Sequence, residues 1–286
     1  MTDAGFTKIG IVGAGQMGRG IAQICASSGF QVMLMDLNSA ALEKAKGHIK
    51  GSLEKLHKKG KISKEEQDQG LTIKFTDQLK DLTDQDLIIE AIVENEAVKN
   101  EIFSKLDKIV SSHTVLASNT SSLPITRLAS KTTRPENFCG MHFMNPVPLM
   151  KLVEVIPGIA TSEDTKNRIV NLAQQLGKEV TLSKDYPGFV VNRILMPMIN
   201  EAFTTLMEGI ASPKDIDKGM KLGTNQPMGP LALADFIGLD TCLSIMEVLF
   251  NGLGDPRYRP SPMLRQYVDA GWLGVKSGKG VYQYEH

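Results

Sequence analysis

A doubly wound α/β domain on a mainly parallel sheet, followed by an all-helical domain, is the fold that this 286-residue sequence predicts. Three observations predict it. Residues 8–36 run as an apolar strand, a glycine turn, an amphipathic helix, a second strand and a closing aspartate. Strand and helix patterns go on alternating through the first half of the chain. After "KEVTLSKDYPGF" the strand signals stop and long apolar-periodic segments take over.

In order, the first strand covers 8–12, the helix 15–28 and the second strand 31–35, where Asp36 ends it. A helical pattern lies near 40–59. Strands follow at 86–92 ("DLIIEAI"), 114–118 ("TVLAS") and 138–143, with another helical pattern at 96–110. Such alternation needs crossover connections, hence a parallel sheet covered on both faces. Helical segments at 187–208, 213–222, 228–252 and 262–270 make up the rest. Pro187 is expected as the first helical residue, since its missing N–H would have no intrahelical partner there. The boundary is expected near Lys184, giving domains of residues 1–184 and 185–286.

Lysine plus arginine equals aspartate plus glutamate at 32 each, so no global field recommends nucleic acid or an anionic membrane as partner. Cys25, Cys139 and Cys242 are far apart, without paired or metal-ligand spacing, and read as buried thiols in a reducing compartment. The first residues enter a strand without a leader pattern, and no apolar run approaches membrane-spanning length. A soluble cytoplasmic protein without a metal is the simplest expectation.

Gly13, Gly15 and Gly18 spell G-x-G-x-x-G between a strand and a helix, with Asp36 eighteen residues after Gly18 at the end of the next strand. Glycines permit the tight turn and let a pyrophosphate approach the backbone N–H groups of a helix N-terminus, whose dipole favours negative charge. This is the fingerprint of a Rossmann-type dinucleotide site, with Gln16 and Met17 inside the turn. Asp36 would accept hydrogen bonds from the adenosine ribose and repel a 2′-phosphate, which favours NAD over NADP. Ligands of open α/β sheets lie beyond the carboxyl ends of the strands, so Glu94, Asn119 and Ser121 are candidates beside the cofactor.

Residues 44–64 hold eight lysines and one glutamate inside a chain of zero net charge. At helical spacing Ser52, Lys55 and Lys59 share a face, where a phosphate would meet one hydroxyl and two ammonium groups. Coenzyme A, with its diphosphate and 3′-phosphate, fits such a stripe; a solvated helix surface is the plainer alternative.

In "MHFMNPVPLMKLVEVI" (141–156), the two prolines suit a turn between antiparallel strands. Folding about residue 148 sets His142 opposite Glu154, close enough for a hydrogen bond. A carboxylate behind a histidine fixes its tautomer and stabilises the imidazolium. Asn192 is expected on a helix between Phe189 and Leu195, where a buried amide needs partners and a substrate oxygen would be one.

Taken together, "IGIVGAGQMGRGIA", "EAIVENEAVKNEIF", "ASNTSSLPIT", "GMHFMNPVPLMKLVEVI", "DYPGFVVNRIL" and "PMGPLALADFIGLD" resemble, in order and nearly end to end, the blocks of the 3-hydroxyacyl-CoA dehydrogenase family, in particular its short, stand-alone 3-hydroxybutyryl-CoA type. The resemblance implies that His142 is the catalytic base and Glu154 its partner, and that Ser121 and Asn192 contact the substrate's 3-oxygen. It implies cofactor contacts from Glu94, Lys99, Asn145 and Lys276, coenzyme A contacts from Ser52 and Lys59, and a homodimer. The implied reaction is the reversible oxidation of an (S)-3-hydroxyacyl-CoA by NAD. Tyr186 departs from the pattern, in which a smaller residue usually precedes "PGF". A dehydrogenase of a free 3-hydroxy acid such as gulonate, and a non-catalytic, crystallin-like NAD binder, are the other readings.

Overall fold

The computed structural model describes residues 4–285. The chain divides between Tyr186 and Pro187 into two compact units. That is two residues beyond the boundary read from the sequence. The reason lies in Asp185, whose carboxylate accepts hydrogen bonds from Ile125 N (2.8 Å) and Thr126 N (2.7 Å) and ties this stretch to the first unit.

The first unit runs β1 (Lys8–Val12), α1 (Gln16–Ser27), β2 (Gln31–Met35), α2 (Ser39–Lys58), α3 (Lys64–Gly70), β3 (Lys74–Thr76), β4 (Leu87–Glu90), α4 (Glu96–Ile109), β5 (Val115–Ser118), α5 (Ile125–Ala129), β6 (Phe138–Phe143), β7 (Leu152–Pro157), α6 (Glu163–Gln175) and β8 (Glu179–Leu182). The strands form one sheet in the order β3-β2-β1-β4-β5-β6-β7-β8, parallel except for the β6–β7 pair. Its direction of winding reverses between β1 and β4, where a crevice opens beyond the strand ends. β4 and β5 are buried throughout ("LIIE", "VLAS"), as strands covered on both faces must be. Ile9, Ile11, Ile21, Leu34, Ile89 and Val155 belong to the core between sheet and helices.

Local chemistry sets the helix starts. Asn38 accepts hydrogen bonds from Ala40 N and Ala41 N at the start of α2, Asn95 accepts one from Val98 N at α4, and Ser63 forms a capping box with Glu66 at α3. Helix α1 differs. Its N-cap is Gly15, with no side-chain cap and no acid in its first turn. Lys59, expected on the helix, is the C-cap of α2.

The second unit is helical: α7 (Val191–Met207), α8 (Pro213–Gly223), α9 (Pro230–Ile237), α10 (Leu239–Leu253) and α11 (Pro262–Asp269). Met196, Phe203, Leu231, Met246 and Leu249 lie in its core. Two expectations need correction. Pro187 is not the first helical residue, because Gly188 (φ 75°) and Phe189 (φ 49°) take left-handed backbone and α7 begins only at Val191. Phe189 therefore lies outside the helix that carries Asn192. The segment 228–252 is two helices, parted at Gly238, whose φ of 103° no helix accommodates. Past α11 the chain folds back on α9, where the buried Asp235 accepts hydrogen bonds from Val281 N, Tyr282 N and the Tyr284 hydroxyl.

All three cysteines are free and buried, and burial pushes each thiol up to about 12. No helix among the described residues is long and apolar enough to cross a membrane.

Candidate active site

The three glycines of the turn after β1 do three different things. Gly13 has φ 107°, and a Cβ on it would stand 2.6 Å from the Ala91 carbonyl oxygen. A Cβ on Gly18 would stand 1.8 Å from the Gly13 oxygen, so this glycine lets the helix pack against the turn. A Cβ on Gly15 would meet nothing within 4 Å. Space beside an uncapped helix N-terminus suits a pyrophosphate.

A cavity of about 550 Å³ opens there, lined by Gly13, Gly15, Gln16, Met17, Asp36 and Asn38 together with apolar residues from the ends of β1, β2 and β4. The Asp36 carboxylate is held by hydrogen bonds from Ala14 N (2.7 Å) and Asn38 N (2.9 Å). A carboxylate has about four acceptor positions, so two backbone donors leave capacity for ribose hydroxyls. Gln16 Nε2 donates to Asn145 Oδ1 at 2.9 Å, which joins the turn to the segment after β6.

Beyond β4 and β5 lies a polar network. Glu94 Oε1 accepts hydrogen bonds from Thr120 Oγ1 (2.5 Å), Ser121 N (2.8 Å), Ser121 Oγ (3.1 Å) and Ser122 Oγ (3.2 Å). Burial alone would raise the Glu94 pKa. The Lys99 ammonium and the hydrogen bonds from Thr120 and Ser121 outweigh burial and hold it below the usual carboxylate range. Asn119 Oδ1 accepts from Phe143 N at 2.9 Å, linking the end of β5 to the end of β6.

His142 and Glu154 are directly opposed in the β6–β7 register. The hairpin thus folds where the sequence places it. His142 Nδ1 donates to Glu154 Oε2 at 2.8 Å, and Glu154 is 0% exposed. The carboxylate assigns the proton to Nδ1 and so leaves the acceptor lone pair of the neutral ring on Nε2.

Ser52, Lys55 and Lys59 line a groove of about 810 Å³. Its opposite wall is Pro146, Pro148 and Leu149, from the loop between β6 and β7. Gly47 and Gly51 lie on the groove side of α2, and a Cβ on either would meet nothing within 4 Å. Glycine inside a helix costs about 1 kcal/mol against alanine, so two of them here keep the groove open at the expense of helix stability.

The remaining two predicted residues belong to the second unit. Asn192 is buried in the first turn of α7, and Lys276 pairs with Asp240 at 2.7 Å near the folded-back end of the chain. Two charged residues outside the sequence-derived picture also emerge. Glu90, at the end of β4, is 0% exposed and accepts Lys99 Nζ at 2.5 Å. Lys178 donates to the carbonyls of Val147 (2.7 Å) and Met150 (2.8 Å), and burial lowers its pKa. A glutamate closing an otherwise apolar strand was the only sequence signal for Glu90.

The family model for the NAD binding domain of 3-hydroxyacyl-CoA dehydrogenase matches residues 8–186, and that for its C-terminal domain matches residues 188–284. A probable 3-hydroxybutyryl-CoA dehydrogenase of Deinococcus radiodurans is 57% identical over 97% of this chain and 100% of its own length. A 3-hydroxybutyryl-CoA dehydrogenase of Bradyrhizobium diazoefficiens is 52% identical over 97% of this chain and 95% of its own. The crystal structure of (S)-3-hydroxybutyryl-CoA dehydrogenase from Ralstonia eutropha superposes with a TM-score of 0.95 at 51% identity, covering 98% of this chain and 100% of that one.

Proposed function

Because the chain belongs to the 3-hydroxyacyl-CoA dehydrogenase family, we propose that it catalyses the reversible NAD-dependent oxidation of (S)-3-hydroxybutyryl-CoA to acetoacetyl-CoA. The observation that carries this reading is the buried His142–Glu154 pair, in register on adjacent strands of the NAD-binding unit. A protein that only bound a dinucleotide would have no use for an oriented base.

Gly13, Gly15, Gly18 and Asp36 would hold the dinucleotide, whose nicotinamide, when bound, takes hydride from C3 of the substrate or returns it. His142 takes the 3-hydroxyl proton in oxidation and gives it back in reduction. Glu154 offsets the positive charge that then sits on the imidazole. Ser121 and Asn192 keep the roles that the resemblance implies, holding the 3-oxygen and polarising the carbonyl in reduction. The lysine groove supports a coenzyme A ester over a free hydroxy acid. Steady-state reduction of acetoacetyl-CoA by NADH, set against free acetoacetate, tests the whole reading. Turnover of the ester and not of the acid is expected; the reverse would overturn it.

Asp36 should decide cofactor choice. Asp36→Ala should raise the KM for NADH and narrow its advantage over NADPH, because a ribose acceptor and a repulsive charge go together. A wild-type preference for NADPH would refute this assignment.

The lysines should act on binding alone. Replacing Lys55 and Lys59 with alanine should raise the KM for acetoacetyl-CoA by roughly fivefold to a hundredfold, as lost charge-assisted contacts do, with little change in turnover. The difference should shrink in high salt. An unchanged KM would make this groove wall an ordinary solvated surface.

A further inference from the structure

Glu90 is an unusual residue to find at the end of a strand buried on both faces, since an isolated carboxylate there is strongly destabilising unless it is fully partnered. It is partnered on every side. Oε1 accepts Lys99 Nζ at 2.5 Å and Ile92 N at 2.8 Å, and Oε2 accepts the Ser118 hydroxyl at 2.6 Å. Lys99, 1% exposed, also reaches Glu94 Oε2, but at 3.2 Å. Two carboxylates thus share one ammonium. The shorter contact is the more deeply buried one, with Glu90 side-chain exposure of 0% against 35% for Glu94. Attraction at short range and low dielectric is strongest there. The net negative charge of the triad therefore lies towards Glu94, at its more exposed end.

We propose that Glu90 is a positioning residue for cofactor electrostatics: by drawing the Lys99 ammonium closer to itself it leaves the Glu94 charge only partly neutralised, and that remaining charge favours the oxidised, cationic nicotinamide over the reduced, neutral one. The inference rests on the reading that NAD occupies the crevice with its nicotinamide half on the Glu94 side. A purely structural ion triad would affect stability. It would not distinguish two cofactor forms of nearly identical shape.

The test is the ratio of dissociation constants, Kd(NAD⁺)/Kd(NADH), from NADH fluorescence titration and its displacement by NAD⁺ at low ionic strength. Glu90→Gln frees Lys99 to neutralise Glu94 and should raise the ratio by roughly threefold to thirtyfold. Adding Lys99→Met removes the ammonium as well, leaves no buried charge unpaired, and should return the ratio to near the wild-type value. Glu94→Gln removes the charge at its source and should raise the ratio even if Glu90→Gln does not fold. An unchanged ratio in folded Glu90→Gln or Glu94→Gln, or a raised one in the double variant, would overturn the proposal. Failure of the wild-type chain to bind either dinucleotide would instead overturn the cofactor reading beneath it.

Discussion

Glu154→Gln should lower turnover by roughly tenfold to a thousandfold while NADH binding stays nearly intact, the scale expected when acid–base catalysis is disturbed without loss of a ligand contact. Glutamine keeps the size of glutamate and can still meet His142 Nδ1 through its amide oxygen. What disappears is the charge, 2.8 Å from the imidazole in the native protein. In the proposed mechanism that charge stabilises the imidazolium, the species formed in oxidation and required in reduction. His142→Ala should cost at least as much. Adding Glu154→Gln to it should cost little more, because a carboxylate that works through the imidazole has nothing left to support. Turnover measured from pH 6 to 9 on a folded Glu154→Gln enzyme, if equal to wild type throughout, would leave Glu154 as a structural ion.

The glycine turn offers a second large effect and its own control. Gly15→Ala should leave stability within about 1 kcal/mol of wild type, the cost of a poorer N-cap, yet weaken NADH binding at least roughly tenfold. Beyond its own chain neighbours the added methyl meets no protein atom within 4 Å, and it enters only the volume proposed for the pyrophosphate. Gly18→Ala drives its methyl against the Gly13 carbonyl oxygen at 1.8 Å and should destabilise the fold itself by about 1–3 kcal/mol or more. Urea midpoints and NADH titrations separate the two. Wild-type NADH affinity in Gly15→Ala would contradict the assignment of this space to the cofactor.

The parts legible in the sequence depend on short, periodic or local rules. Counting along the strands from residue 148 brings His142 opposite Glu154 because side chains alternate with a period of two. The glycine spacing and Asp36 announce a strand–turn–helix unit for equally local reasons. What escaped was tertiary or conformational. Lys99 shares one face of α4 with the buried Phe103 and Leu106 at i+4 and i+7, but that spacing does not reveal that Glu90, from a neighbouring strand, meets it there. The breaks at Gly188 and Gly238 depend on the sign of φ, which residue type permits but does not dictate. Lys178, immediately after the left-handed Gly177, shows no sign in sequence of holding carbonyls some thirty residues earlier, at Val147 and Met150.

That last contact has a bearing on how such a protein can diversify. Strand pairing and their own hydrogen bond hold His142 to Glu154, whereas Pro146, Pro148 and Leu149 of the connecting loop line the lysine groove, and the loop is fastened by the Lys178 ammonium through the backbone carbonyls of Val147 and Met150, whatever side chains it carries. Pro148 and Leu149 can therefore be exchanged as a cassette, reshaping the groove, without relocating His142 a few residues away. Inheritance can rewrite the loop and keep the strands.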